Sequence, residues 1–405
     1  MATTENKHSG RADNKINVYF FMSTSLLNGR GFERTTLAYA RHMDLNKFNV
    51  TIVHGDTLFT KRLDENELST LSPQIRIIQK GEKHGNLGRL NWRVRSILPL
   101  GKLIEIWLLA PIIFLIIRKN VLGELLNEIR EGDIVYFVDP ADNYLFSRTG
   151  ASFIGSNQGF LENPDALYTR LIVKFVKTGI LFNKIQNFHL FPINSFVANE
   201  WKNKNCIILP SGIESSLYSG EKRGKGNSVK FLFVGALEDW KGIILAIEAF
   251  ILIGRDTDVE FHIAGGGILE DFVRTHSKDD DRIIFHGIIS EQEKIELYHD
   301  CDIFIYPSLG ETFGIVITEA LASGLFVLLG KNVLGNFTDA FNMGFIDYCT
   351  YITNEIKEKM MNLIQNIEVI RNKRSSIHSY AIQQYDWGNI TNSLMSFIED
   401  TRRNQ

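Results

Sequence analysis

Short apolar runs, each followed by a turn and then a helix-forming stretch, recur along this chain, and that alternation admits few folds. Val18-Tyr19-Phe20-Phe21-Met22, Val50-Thr51-Ile52-Val53-His54 and Asp133-Ile134-Val135-Tyr136-Phe137-Val138 open a first series. Phe153-Ile154-Gly155-Ser156 and Ser195-Phe196-Val197-Ala198 add two members. A second series follows a polar stretch over residues 219–228, with runs at 230–235, 259–264, 282–286, 302–306 and 325–329. Runs rich in β-branched and aromatic residues, with little polar alternation, read as strands buried on both faces. Strands that alternate with helices imply parallel sheets. The expected class is therefore α/β, with two Rossmann-like, doubly wound parallel-sheet domains facing an interdomain cleft. A chain of 405 residues also exceeds one comfortable core. The expected divisions are a leader over 1–17, an N-terminal domain over 18–218, a C-terminal domain over 219–384 and a closing segment over 385–405.

Composition narrows function by exclusion. Net charge is −3, which argues against a general nucleic-acid binder. Cys206, Cys301 and Cys349 are far apart and lack metal-ligand spacing, so a reducing compartment fits better than a disulfide framework. The segment before Val18 is polar and carries no apolar signal-peptide run, so a cytoplasmic location is expected.

The chemistry concentrates in Gly310-Glu311-Thr312-Phe313-Gly314-Ile315-Val316-Ile317-Thr318-Glu319. A glycine turn that flows into a helix aims the first free backbone N–H groups, with the positive end of the helix dipole, at one point. Such a point attracts an anion, most commonly a phosphate. Glu319 lies within the first turns of that helix and suits a diol, while Glu311 lies just outside it. A ligand carrying both phosphates and hydroxyls reconciles the two acids with the phosphate site, and a nucleotide sugar is such a ligand. Gly31, Gly235, Gly265, Gly287 and Gly314 all follow predicted strands, where parallel α/β sheets bind their ligands.

With Glu311 and Glu319 in this spacing, the segment resembles the Glu-x7-Glu signature of the family-4 retaining glycosyltransferases of the GT-B fold. Other landmarks occur in the family's order. Arg30-Gly31-Phe32-Glu33-Arg34 is similar to its first glycine loop, and Pro210-Ser211-Gly212-Ile213-Glu214 to its linker motif. Val234-Gly235-Ala236 with Lys241-Gly242, Ala264-Gly265-Gly266-Gly267, Phe285-His286-Gly287, the run 302–308 and Tyr385-Asp386-Trp387 match later ones.

The resemblance implies transfer of a sugar from a nucleotide diphosphate sugar to a hydroxyl acceptor, with retention of configuration. It places the donor in the C-terminal domain and the acceptor in the N-terminal one, with the last helix crossing back to the N-terminal domain. It gives Lys241 the diphosphate and the charge developing on the leaving group, and gives Glu311 the transferred sugar. Gly235, Gly287, Gly314, Ile315 and Val316 would line the donor, Glu319 would pair with the ribose hydroxyls, and Gly31 would approach the donor phosphate from the other wall. His286 reads equally as a ligand contact or a strand-end core residue.

Two positions depart from the pattern. Ala236 stands where the family carries an Arg, with Arg30 a candidate substitute cation. Gln158 stands at the acceptor-side position of the family's His, where it can hydrogen-bond a hydroxyl but cannot act as a general base. No Asp-x-Asp triplet suits a metal–diphosphate bridge, and Asp279-Asp280-Asp281 reads as a solvated loop, so metal-independent transfer without a cofactor is expected.

Over residues 76–119 a basic stretch precedes Ile106-Trp107-Leu108-Leu109-Ala110-Pro111, which continues apolar to Ile117 and closes with Arg118-Lys119. The apolar run is shorter than the roughly 17–25 residues a spanning helix needs. It reads either as a peripheral contact with an anionic membrane surface or as a buried crossover helix. The first reading makes the acceptor a lipid-linked saccharide at the inner face of the cell membrane. Other saccharide acceptors in polysaccharide or glycoconjugate biosynthesis are equally compatible. Two further readings stand beside the transferase: a GT-B nucleotide-sugar epimerase, and a degenerate, non-catalytic GT-B binding subunit.

Overall fold

The computed structural model describes residues 15–21, 32–54, 68–79, 123–137, 152–157, 188–192, 208–221, 226–311 and 313–403. The chain divides into two compact units, Met1–Phe191 with Leu394–Gln405, and Pro192–Ser393. Each is built on one six-stranded sheet.

The first sheet contains β1 (Ile16–Phe21), β2 (Phe48–His54), β3 (Arg76–Gln79), β4 (Ile134–Phe137), β5 (Ser152–Asn157) and β6 (Phe188–Pro192) in the order β3-β2-β1-β4-β5-β6. The β1–β2, β1–β4, β2–β3 and β4–β5 pairs are parallel. Val18, Phe20, Ile52 and Val135 are fully enclosed, as the unbroken apolar runs require of strands covered on both faces. Helix α1 (Phe32–His42) follows β1 and packs Tyr39 edge-on against Tyr136, their ring centroids 5.5 Å apart.

The second sheet contains β7 (Val229–Val234), β8 (Val259–Ala264), β9 (Ile283–Gly287), β10 (Ile303–Tyr306), β11 (Phe326–Gly330) and β12 (Ile346–Cys349). Its order is β12-β11-β10-β7-β8-β9, and its five pairings are parallel. Both units are thus doubly wound. Phe231, Phe233, Phe250 and Phe261 are fully buried in this core, and each contributes roughly 1.5–3 kcal/mol by leaving water.

Helices α2 (Ile243–Ile251), α3 (Glu270–Asp279), α4 (Glu291–Asp300), α5 (Ile315–Ala322) and α6 (Arg374–Tyr385) belong to this second unit. A capping box fixes the start of α4, with Ser290 and Glu293 each accepting the other's backbone N–H. Helix α7 (Trp387–Arg403) is divided between the units at Leu394. The linker motif is stitched to the end of α6 and the start of α7: Ile213 N–H donates to Tyr385 O at 2.7 Å, and Trp387 N–H donates to Ile213 O at 3.1 Å.

Predicted strands at 18–22, 50–54, 133–138, 153–156 and the five of the second series coincide with observed strands to within a few residues. The expected strand at 195–198 lies outside the described residues. Asp280 of the triplet read as solvated is buried instead, 2.7 Å from Arg282 in a buried ion pair.

Candidate active site

In the second sheet the strand order reverses between β7 and β10. At such a reversal the loops leaving the two strands diverge, and the crevice beyond their carboxyl ends is the natural ligand site. Those two loops carry Gly235 to Lys241 and Pro307 to Glu311, so topology alone brings Lys241 and Glu311 together across 70 residues of sequence.

The loops are drawn close by glycines at which a side chain would collide. Gly242 caps the short 3-10 turn Asp239–Lys241 with φ 78°, and a Cβ there would lie 2.2 Å from Pro307 O. Gly265, at φ 141°, would place a Cβ 1.9 Å from Gly235 O. The close approach that Gly265 permits after its strand is therefore one the chain makes with its own backbone. Gly235 N–H donates to Ala264 O at 3.1 Å, tying the two strand ends together.

The Lys241 ammonium pairs with Glu311 Oε1, and each side chain is only 12% exposed. Tyr306 Oη–H donates to the same oxygen at 2.8 Å, and Ser308 Oγ lies 3.4 Å from it. Burial, and then the Glu311 charge, hold the Tyr306 hydroxyl well above its ordinary pKa, so it stays a donor. Asn336 Nδ2 donates to the carbonyls of Glu311 and Phe313, at 3.3 and 3.2 Å. Phe313 packs against Phe337 and Tyr385, anchoring the loop from below.

Gly314, in the left-handed region at φ 96°, opens α5. The N–H groups of Ile317 and Thr318 fold back onto Gly314 O, at 2.9 and 3.4 Å. Those of Ile315 and Val316 have no partner among the described residues, which is the donor arrangement expected at a helix start. Lys241, this helix start and the Glu311 loop can together hold an anion whose attached groups carry hydroxyls.

Glu319 is buried, with Lys294 Nζ 2.9 Å from Oε1 and the Tyr298 hydroxyl 3.1 Å from Oε2. Burial opposes the Lys294 charge, but Glu319 and Glu291 outweigh it and hold its pKa above the ordinary value. A carboxylate offers about four lone-pair sites, so these two bonds fix the rotamer while leaving acceptor capacity for a diol. Lys294 and Tyr298 carry no motif, and sequence reasoning missed both. Tyr306 lies inside a quoted motif, but its role emerges only from the contact.

At the end of β9, Gly287 adopts φ 68°. His286 Nε2 lies 3.1 Å from His262 Nδ1, and His262 Nε2 lies 2.9 Å from Glu260. Burial, and then His262, push the His286 pKa down. Ala236 is exposed beside the ion pair's loop. Arg30, Gly31 and Gln158 lie outside the described residues, as do residues 80–119 of the basic and apolar segment. Among the described residues, no helix is long and apolar enough to cross a membrane.

Comparison with known proteins matches the second unit to a family at this point. Residues 218–400 match the family of glycosyl transferases group 1. The phosphatidyl-myo-inositol mannosyltransferase of Mycobacterium tuberculosis is 21% identical over 221 residues, covering 51% of this chain and 58% of that protein. The matched stretch thus spans little more than half the relative's length. A solved glycosyltransferase from Rickettsia africae superposes with a TM-score of 0.66 at 15% identity, covering 97% of this chain and 100% of the other. Anabaena HepE in complex with UDP and glucose superposes with a TM-score of 0.62 at 13% identity, covering 94% and 99%. The architecture is the α/β GT-B fold. By sequence, the similarity to glycosyl transferases lies in residues 218–400.

Proposed function

We propose that the protein transfers a sugar from a nucleotide diphosphate sugar to a hydroxyl of a saccharide or lipid-linked saccharide, with retention of configuration. The observation that carries this reading is the Lys241–Glu311 pair at the switch point, set beside the helix start at Ile315 and the buried Glu319. In it, Lys241 turns from Glu311 to the diphosphate, and the Ile315 and Val316 amides complete the anion site. Glu319, held by Lys294 and Tyr298, accepts the ribose hydroxyls. Glu311, freed from the lysine but still receiving Tyr306, holds the transferred sugar and favours positive charge developing at its anomeric carbon.

The bond from that carbon to the phosphate oxygen breaks as a bond to the acceptor oxygen forms on the same face. The acceptor proton passes to the departing phosphate oxygen. The cationic charge comes from the chain itself, so activity should persist in a chelator. The mannosyltransferase relative acts on a phosphatidyl-myo-inositol, and the composition of residues 76–119 fits an anionic membrane surface, so a membrane-presented acceptor is included in the proposal.

The test is incubation with UDP-, GDP- and ADP-sugars and a saccharide acceptor panel, with the anomeric configuration of any product read by NMR. A product that keeps the donor's configuration supports the reading; inversion refutes it. Free epimerised sugar formed without an acceptor would favour the epimerase. The exposed Ala236, in place of a cation, is what favours a non-catalytic binding subunit. Donor binding without turnover of any donor would support that second reading.

A further inference from the structure

Trp240 precedes Lys241 in the 3-10 turn, and the residue is 42% exposed. It is nevertheless firmly held. Its carbonyl accepts from Leu309 N–H at 2.8 Å and from Ser308 Oγ at 3.2 Å, which pins the turn to the loop after β10. Its indole N–H donates to the Glu238 carboxylate. The Lys241 ammonium lies 3.8 Å from the ring centroid, on the ring face. Leu309, joined to it through the backbone, is 46% exposed. An indole left in water forgoes roughly 25 cal/mol for each Å² it could bury, and here the ring is ordered before any ligand arrives.

We propose that Trp240 is a stacking platform for a pyranose ring of the acceptor saccharide. The proposal rests on the transferase reading of the neighbouring pair. A pyranose has an apolar C–H face and a rim of hydroxyls, and it meets here an aromatic face with the Glu238 carboxylate at its edge. The donor sugar is tethered to the diphosphate, which Lys241 and the α5 amides hold. The ammonium covers one face of the indole, which leaves the opposite face and the edges for a ligand. A ring not tethered to the diphosphate fits there. One ammonium touches both the indole and Glu311, so a sugar stacked on the far face of Trp240 lies across the indole from the carboxylate assigned to the transferred sugar, where a further ring of an acceptor saccharide fits.

The experiment is saturation-transfer NMR of the full chain with the methyl α-pyranosides of glucose, mannose, galactose and N-acetylglucosamine. Wild type is compared with Trp240→Phe and Trp240→Leu, and UDP is titrated into each by calorimetry. At least one pyranoside should bind wild type. Trp240→Phe should stay within about threefold of wild type, Trp240→Leu should weaken at least about tenfold, and UDP affinity in both should stay within about twofold. No pyranoside binding to wild type, or equal binding to Trp240→Leu, would overturn the proposal. So would loss of UDP together with the sugar, since the residue would then serve the donor or the fold. If pyranosides bind through Trp240 while UDP fails to bind wild type, the platform stands and the donor reading falls.

Discussion

Lys294 Nζ stands 2.9 Å from Glu319 Oε1, joining the middle of α4 to α5 inside the second unit. Both side chains are largely buried, so removing the lysine alone leaves a poorly solvated carboxylate without its charged partner. Lys294→Ala is expected to lose about 3 kcal/mol in urea unfolding. Lys294→Met with Glu319→Leu should recover most of that, since two apolar groups leave no charge unpaired. The folded-state pKa of Lys294 lies above its ordinary 10.5. Its contribution is therefore complete below that value and is lost as pH rises through the folded pKa. A double mutant as unstable as Lys294→Ala would contradict this.

Glu311 is assigned to the transferred sugar rather than to the diphosphate. Glu311→Ala should cut transfer by roughly 10²–10³-fold while UDP affinity, by calorimetry, falls by no more than about threefold. Equal losses in both would place Glu311 in nucleotide binding.

Gly265 sits where a Cβ would meet Gly235 O at 1.9 Å, in a backbone region that side chains rarely adopt. Gly265→Ala should cost about 2 kcal/mol or more in thermal unfolding. Gly335→Ala has open space around it and should stay within about 0.5 kcal/mol. Similar melting temperatures for the two variants would refute the assigned packing.

His286 is held below its ordinary pKa of 6.5 by burial and by His262, with Glu293 opposing. The unfolded chain therefore takes up this proton first, and stability should fall as pH drops below about 6.5 toward the folded value. His286→Asn should flatten that slope in melting curves between pH 7 and 5. An unchanged slope would assign it to other groups.

The paired sheets were legible because their strands are unbroken apolar runs, and a strand covered on both faces can be written in no other way. β3, β6 and β12 were missed. β3 and β12 have only four residues each, and Arg76 and Asp347 interrupt their apolar pattern, while β6 has five residues with His189 among them. Lys241, Glu311 and Glu319 stand in local motifs, so the sequence exposes them. Lys294 and Tyr298 act through packing between α4 and α5, which no local pattern encodes, and Trp240 reads as an ordinary turn residue until its partners are seen. Gly265 was legible as a glycine that follows a strand, but the backbone that approaches it depends on the pairing of β7 with β8.

The central claim is that Lys241 and the start of α5 hold a diphosphate, and titrating UDP calorimetrically into wild type and Lys241→Ala tests it most directly. Binding to wild type that weakens at least about tenfold in Lys241→Ala is the result expected, since a charge-assisted contact is worth roughly 1.5–3 kcal/mol. Equal affinity in the two proteins, or no UDP binding to wild type, would contradict it.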